Sequence, residues 1–231
     1  MELLKRKKLT KPKSIAVFDM DNTILRSSFI YTAAKKYGFE RELNNAVMKT
    51  GNAVARTQLI GQLLLGKAIN ELLDLADSIQ VTPGLPEVLN NLHARGYMTG
   101  IISDSYECIT DHIKNKFAFD FAISNALLFS NNRATGFVEV NTSFLADKES
   151  ICQHEYCKTN ALRAICENCK IDIKNSLVIG DGENDICCIQ NAGIGVSFCS
   201  ANSLVDNAAD FIIKEPSFNL LAPVFQFHHF E

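Results

Sequence analysis

No apolar run in the 231-residue sequence approaches the roughly 20 residues needed to cross a bilayer. The most apolar helical stretch, Leu59-Ile60-Gly61-Gln62-Leu63-Leu64-Leu65, is broken by Gln62 and closed by Gly66-Lys67, so no membrane partner is expected. A secretory leader is missing too, because the basic start runs into Leu9-Thr10-Lys11-Pro12 instead of an apolar segment; the expected location is cytoplasmic. Nor is there a surplus of positive charge. A formal net charge of −3 leaves no broad basic surface to neutralise phosphates, which argues against nucleic acid as the principal partner. The one basic stretch, Lys5-Arg6-Lys7-Lys8 with Lys11 and Lys13, reads as a solvated tail over residues 1–13. Internal repeats and low-complexity segments are absent, and the oligomeric state is not encoded in any pattern.

What is present is a globular alternation of strands and helices, with 47% hydrophobic residues and enough length for a full core. Ile15-Ala16-Val17-Phe18 reads as a buried strand ending in Asp19-Met20-Asp21-Asn22-Thr23. A helical pattern then continues for about fifty residues to Ser78, clearest where Ile69, Leu72, Leu73, Ala76 and Ile79 form an apolar stripe. Thr82-Pro83-Gly84 ends that block. A helix from Pro86 to Arg95 leads to the strand Met98–Ile102 and Ser103-Asp104-Ser105. Phe121-Ala122-Ile123 is a short strand, and residues 127–140 around Ser130-Asn131-Asn132-Arg133 form a hairpin. Lys158 opens a helix, and Leu177-Val178-Ile179 is a strand ending in Gly180-Asp181-Gly182-Glu183-Asn184-Asp185. Gly195–Phe198 and Phe211–Ile213 are further short strands. The expected fold is α/β, a doubly wound parallel sheet of Rossmann type carrying a small helical insertion. Residues 14–27 and 83–231 would form the core, and residues 28–82 a mobile helical cap.

Asp19, Ser103 and Asp181 all sit at the carboxyl ends of strands, where ligands of such sheets collect. Converging aspartates suit a hard divalent cation, and the expected cofactor is Mg²⁺, with Asp19 and Asp181 as side-chain ligands and the backbone carbonyl of Asp21 as a third. Such a site suits the hydrolysis of a phosphate monoester, whose dianion needs positive charge around it. Asp19 would attack phosphorus, Asp21 would protonate the leaving oxygen and then activate water, and Lys158 and Ser103 would hold phosphoryl oxygens.

Taken in order, Asp19-Met-Asp-Asn-Thr23, Ile101-Ile-Ser103, Lys158 and Gly180-Asp-Gly-Glu-Asn-Asp185 resemble the four motifs of the haloacid dehalogenase superfamily of phosphohydrolases. The helical insertion, the hairpin before Lys158 and the 23-residue step from Lys158 to Asp181 resemble its phosphoserine phosphatase branch. The resemblance covers nearly all of residues 14–214. It implies Asp19 as nucleophile, Asp21 as general acid/base, Ser103 and Lys158 as phosphate ligands, and Asp181 as a metal ligand with Asp185 holding metal-bound water. Asp104 and Asn184 match substrate-binding positions, and the substrate would be a small phosphorylated metabolite. The chain departs from the phosphoserine pattern in the cap. Residues 26–32 offer no carboxylate for a substrate ammonium, and Leu59–Leu63 offers no arginine for a substrate carboxylate. Arg26, Ser28, Tyr31 and Arg56 remain as readers of the leaving group.

Eight cysteines supply the rival chemistry. Cys166-Glu-Asn-Cys169 has the spacing of a zinc or redox pair, with Cys152, His154 and Cys157 nearby. Yet its segment reads as helical, so the two thiols can share a buried face as reduced core residues. His228-His229 reads as incidental. Besides hydrolysis, the motifs permit phosphotransfer to another acceptor, and a catalytically silent binding module is a further alternative.

Overall fold

In the computed structural model, residues 12–226 are described; the basic run 5–8, Lys11 and the His228-His229 pair lie outside them. β1 (Ser14–Phe18) is buried at all five positions, as a strand covered on both faces must be, and it forms the centre of a seven-stranded sheet of order β4-β3-β2-β1-β5-β6-β7. Its side chains alternate between two apolar layers. Ala16 and Phe18 point into one, Ile15 and Val17 into the other.

After β1 the chain runs through four helices, α1 (Phe29–Tyr37), α2 (Glu40–Lys49), α3 (Ala53–Gln62) and α4 (Ile69–Ser78). Their apolar faces, including Phe29, Ala33, Leu72, Leu75 and Ala76, join the same layer as Phe18. α1 stops where Gly38 turns left-handed at φ 76° and returns its N–H to Ala34. At the start of α4, the Glu71 carboxylate accepts the Ala68 N–H at 3.2 Å, occupying an otherwise unpaired helix donor. No helix among the described residues is long and apolar enough to cross a membrane.

The sheet continues with α5 (Leu85–Ala94), β2 (Tyr97–Tyr106), α6 (Glu107–Phe117) and β3 (Phe121–Ser130). β2 pairs parallel with β1, and β3 with β2. Two expectations are corrected in this part of the chain. Ser103 and Asp104 lie within β2, which runs on to Tyr106 through a register shift. The short strand at 121–123 is the first third of a ten-residue β3. β3 bends and turns back through Asn131 and Asn132, both at positive φ (48° and 60°), the backbone that a tight hairpin of matching twist requires. β4 (Arg133–Glu139) is consequently antiparallel, so the sheet is parallel except at this edge. The hairpin packs on α3. A Cβ on Gly61 would lie 2.3 Å from Val138, so only glycine allows that approach.

From the edge the chain returns through α7 (Lys158–Cys169) to β5 (Ser176–Gly180) on the other side of β1, then outward through α8 (Ile186–Asn191), β6 (Ile194–Phe198), α9 (Ser203–Ala208) and β7 (Phe211–Ile213). Successive connections therefore diverge at β1, opening a crevice at the carboxyl ends of β1 and β5.

Phe18, the last residue of β1, meets Phe119 and Phe218 edge-on at 5.7 and 5.5 Å and is wholly buried. Phe18→Ala is expected to cost about 3–5 kcal/mol, read as a lowered urea midpoint with unchanged slope. A cost below about 1 kcal/mol would show that the strand end is not held by this cluster.

Candidate active site

Asp19 follows β1 directly, and its backbone N–H donates to Ile179 of β5 at 2.9 Å, tying the two strand ends together. Asp181 follows β5, and Asp185 closes a short 3-10 turn, Glu183–Asp185, before α8. One carboxylate oxygen from each of Asp19, Asp181 and Asp185 lies within 4.8 Å of the others. Lys158, first residue of α7 and 2% exposed, donates from Nζ to Asp19 Oδ1 and to Asp185 Oδ1, the latter at 2.8 Å. Gly182 N–H donates to the second oxygen of Asp185 at 3.0 Å. Gly180 makes this possible: a Cβ there would fall 2.5 Å from the Asp185 carboxyl carbon.

Negative charge outweighs positive in this space. Burial raises the pKa of Asp19 well above the usual range; Lys158 opposes that, while Asp185 and Asp181 add to it. Burial and then Asp185 push Asp181 up to about 6. Burial works to depress Lys158, but Asp185 and Asp19 outweigh it and keep the ammonium charged. A set of hard carboxylate oxygens with too little positive charge among them fits a hard divalent cation such as Mg²⁺. The residues that would hold it are Asp19, Asp181 and Asp185. The side chain of Asp21 is not in this cluster, leaving its backbone carbonyl as its expected part.

The Asp21 carboxylate turns instead to the start of α1, where Oδ1 accepts the Phe29 N–H. Burial pushes it up to about 6 against that hydrogen bond and the nearby Lys158. Two carboxyl groups two residues apart thus occupy different settings, one facing an ammonium and the other a helix N-terminus. Asn22 at φ 59° makes the turn between strand and helix block, and Thr23 donates from its hydroxyl to Asp181 at 3.1 Å.

Ser103 is buried near the end of β2, and its Oγ accepts the Ser105 N–H at 3.2 Å. Phe18 and Ile101 are register partners, so Asp19, just past β1, and Ser103, within β2, stand at nearly the same level. Asp104 accepts from Asn184 at 2.8 Å and from the Tyr156 hydroxyl at 3.2 Å, and Tyr156 in turn accepts from Asn125 at 3.0 Å. Sequence reading missed Tyr156 and Thr23. Thr23 closes the first motif, but its bond to Asp181 spans 158 residues, and Tyr156 belongs to no spacing pattern and enters through its contacts with Asp104 and Asn125.

Two clefts open beside these groups. One, of about 450 Å³, is bordered by Arg56, Asp104, Tyr156, Lys158 and Asn184; the other, of about 190 Å³, by Asp21, Ile30, Arg56, Ile60 and Tyr106. Of the four side chains expected to read a leaving group, only Arg56 borders either cleft. Arg26 is engaged with Gln80 at 3.2 Å, Ser28 stands at the N-cap position of α1 without a side-chain capping bond, and Tyr31 is 52% exposed. Arg56 makes no ion pair among the described residues. The cysteines also regroup. Cys166 is buried in the layer under α7, and Cys169 lies 3.9 Å from Met98 sulfur. Cys152, His154 and Cys157 gather with Cys187, which the sequence reading did not connect to them.

Set against known proteins, the chain matches the family model of haloacid dehalogenase-like hydrolases over residues 13–193. It is 27% identical to the phosphoserine phosphatase of Methanocaldococcus jannaschii, the alignment covering 90% of this chain and 95% of that one. It is 26% identical to that of Lactococcus lactis, with 81% and 84% covered. The phosphoserine phosphatase of Archaeoglobus fulgidus is longer; the match, at 28% identity, covers 89% of this chain and 58% of that protein. Among solved structures, a substrate-bound phosphoserine phosphatase complex superposes with a TM-score of 0.77 at 24% identity over 93% of this chain and 99% of that one. A hydrolase from Salmonella enterica serovar Typhi superposes with 0.81 at 21% identity, over 97% and 75%. These likenesses agree with the seven-stranded sheet and its switch point at β1, and the chain belongs to the haloacid dehalogenase-like hydrolases, as an enzyme of their phosphatase kind.

Proposed function

We propose that the chain is a Mg²⁺-dependent phosphomonoesterase that hydrolyses a small phosphorylated metabolite through a phosphoaspartate on Asp19. The core would be residues 14–27 and 83–231, with residues 28–82 as a cap that closes over the substrate. One observation carries the reading: Lys158 Nζ lies between Asp19 and Asp185, a buried cation fixed against the carboxylate that would attack.

Bound Mg²⁺ would neutralise phosphoryl oxygens and lessen repulsion between the ester dianion and the aspartates. An oxygen of Asp19 attacks phosphorus in line, and the bond to the leaving oxygen breaks. Asp21, raised to about 6 by burial, transfers its proton to that oxygen, releasing the alcohol. The resulting Asp21 carboxylate then takes a proton from water as the water attacks phosphorus. Inorganic phosphate leaves and both aspartates regain their starting forms. Lys158 and Ser103 hold the equatorial oxygens, and the Asn184–Asp104 contact fixes the rim.

The narrower cleft joins apolar walls, Ile30 and Ile60, to the guanidinium of Arg56, and residues 26–32 contribute no carboxylate. Asp21 and Asp104 also border this cleft, but Asp21 accepts from Phe29 and Asp104 from Asn184 and Tyr156, so the Arg56 guanidinium, without an ion pair among the described residues, supports an ester whose alcohol carries an anionic group. Phosphoserine meets that requirement through its carboxylate, while its ammonium has no counterpart from residues 26–32.

Four outcomes are expected. Asp19→Asn should abolish Mg²⁺-dependent phosphate release, by about a thousandfold or more; residual turnover within tenfold of wild type would sink the mechanism. Among esters, deleting the carboxylate of phosphoserine (phosphoethanolamine) should lower kcat/KM about tenfold or more, and deleting its amino group should change it little. A loss confined to the amino deletion would overturn the reading of the cleft. Gly180→Ala should depress kcat by pushing Asp185 off Lys158 while circular dichroism shows the fold retained; unchanged kcat would mean that contact is dispensable.

The fourth concerns stability. The folded-state pKa of Asp181 exceeds its unfolded value of about 3.8, so its ionisation opposes folding above that range. In chelator at pH 8, Asp181→Asn should therefore be more stable than wild type by on the order of 1–3 kcal/mol. The advantage should shrink as pH falls through 6 toward 4, and also on adding Mg²⁺ to the wild type. Urea titrations at three pH values would check it, and a destabilised variant at pH 8 would refute the charge argument.

A further inference from the structure

His154, Cys157 and Cys187 border the wider cleft, Cys152 gathers with them, and none of the four takes part in the chemistry above. Three of them come from one loop in the spacing Cys-x-His-x-x-Cys, and the fourth is the second residue of α8. One donor atom from each, three Sγ and one imidazole nitrogen, lies within 4.8 Å of all the others. In a tetrahedral site with bonds of about 2.3 Å, donors stand about 3.8 Å apart. The cluster is therefore within a small side-chain adjustment of that geometry. Cys187 Sγ is already 3.3 Å from His154 Nδ1.

The loop itself points the same way. Its neck is closed by backbone bonds from Ala146 to Glu155 at 2.9 Å and from Cys157 to Phe144 at 2.8 Å. Beyond the neck, residues 147–155 have no regular secondary structure, and their one large apolar side chain, Ile151, is 46% exposed. A loop that buries so little has few apolar contacts to offset its ordering, and a metal crosslink is a known substitute.

We propose that Cys152, His154, Cys157 and Cys187 bind one zinc ion, in a closed structural site separate from the aspartate cluster. Three thiolates and one imidazole are soft and borderline donors, a set that favours Zn²⁺ over Mg²⁺. Its position has a consequence. Cys157 adjoins Lys158, and Cys187 is two residues beyond Asp185, so the ion clamps together the two chain segments whose side chains meet in the buried Lys158–Asp185 pair. It also pins the 145–156 loop, and with it Tyr156, beside Asp104.

The test is metal content of the full chain, expressed with supplemental zinc and purified under reducing conditions into Mg²⁺ buffer. About one zinc per chain is expected. It should be retained in Asp181→Asn, which alters the carboxylate cluster, and in Cys169→Ser, which leaves the four donors intact. It should fall tenfold or more in Cys187→Ser and in Cys152→Ser, both on partly exposed residues, with circular dichroism verifying the fold. Exchange with Co²⁺ should give the intense visible bands of a tetrahedral site and a thiolate charge-transfer band, both lost in Cys187→Ser. Wild type free of zinc under these conditions overturns the proposal. So does zinc that persists in both cysteine variants, or zinc lost in Asp181→Asn, which would assign the ion to the aspartates. None of these readouts depends on turnover, so an inactive protein would still answer the question.

Discussion

A single lysine ammonium, buried between two carboxylates, organises the active end of this molecule. Lys158 cannot be solvated where it lies, and Asp19 and Asp185 compensate by direct hydrogen bonds. Each member comes from a different part of the chain: the end of β1, the first turn of α7, and the turn after β5. Their meeting fixes how those three elements approach. Glycine at 180 clears the space, the backbone of Gly182 holds the other oxygen of Asp185, and the Asp19 N–H bond to Ile179 keeps the strand ends in step.

The arrangement is unfavourable to folding by its own electrostatics. Buried aspartates outnumber the one lysine, and their protonation is pushed upward accordingly. A core built only for stability would replace such groups with apolar ones. The cation proposed for this site would bring the missing charge and relieve that repulsion on binding. The apolar layers around Phe18 and around Val17 are what hold the backbone in place against that repulsion. Likewise, the helix block shares its core with the sheet through Phe29, Leu64 and Leu72, which sets Arg56 over the crevice and leaves Tyr31 in solvent.

The thiol cluster extends the same logic to the border of the wider cleft. Cys157 beside Lys158 and Cys187 near Asp185 come together because their neighbours in sequence do. Whatever fixes that pair of segments also sets the pair of side chains on which the site depends.

Much of this was written in local pattern. Apolar runs ending in carboxylates identify β1 and β5, because a strand buried on both faces must be continuously apolar and must end where polar groups can reach a crevice. The order of segments gives the parallel sheet, and the Asn131-Asn132 pair gives the hairpin through the left-handed backbone those residues tolerate. Sequence alone did not give the reach of β2 and β3, since strand ends depend on which neighbours remain to pair with, nor the choice of Arg56 over Arg26, Ser28 and Tyr31, since a helix's orientation over a sheet is decided by packing. The partner of Cys152, His154 and Cys157 was likewise hidden. The C-x-x-C spacing pointed to Cys166 and Cys169, but that helix turns Cys166 into the core, and thirty residues of chain bring Cys187 across instead. Sequence determined which chemical groups arrive at the sheet edge; tertiary structure decided which of them meet, because proximity across a fold is set by packed layers and not by spacing along the chain.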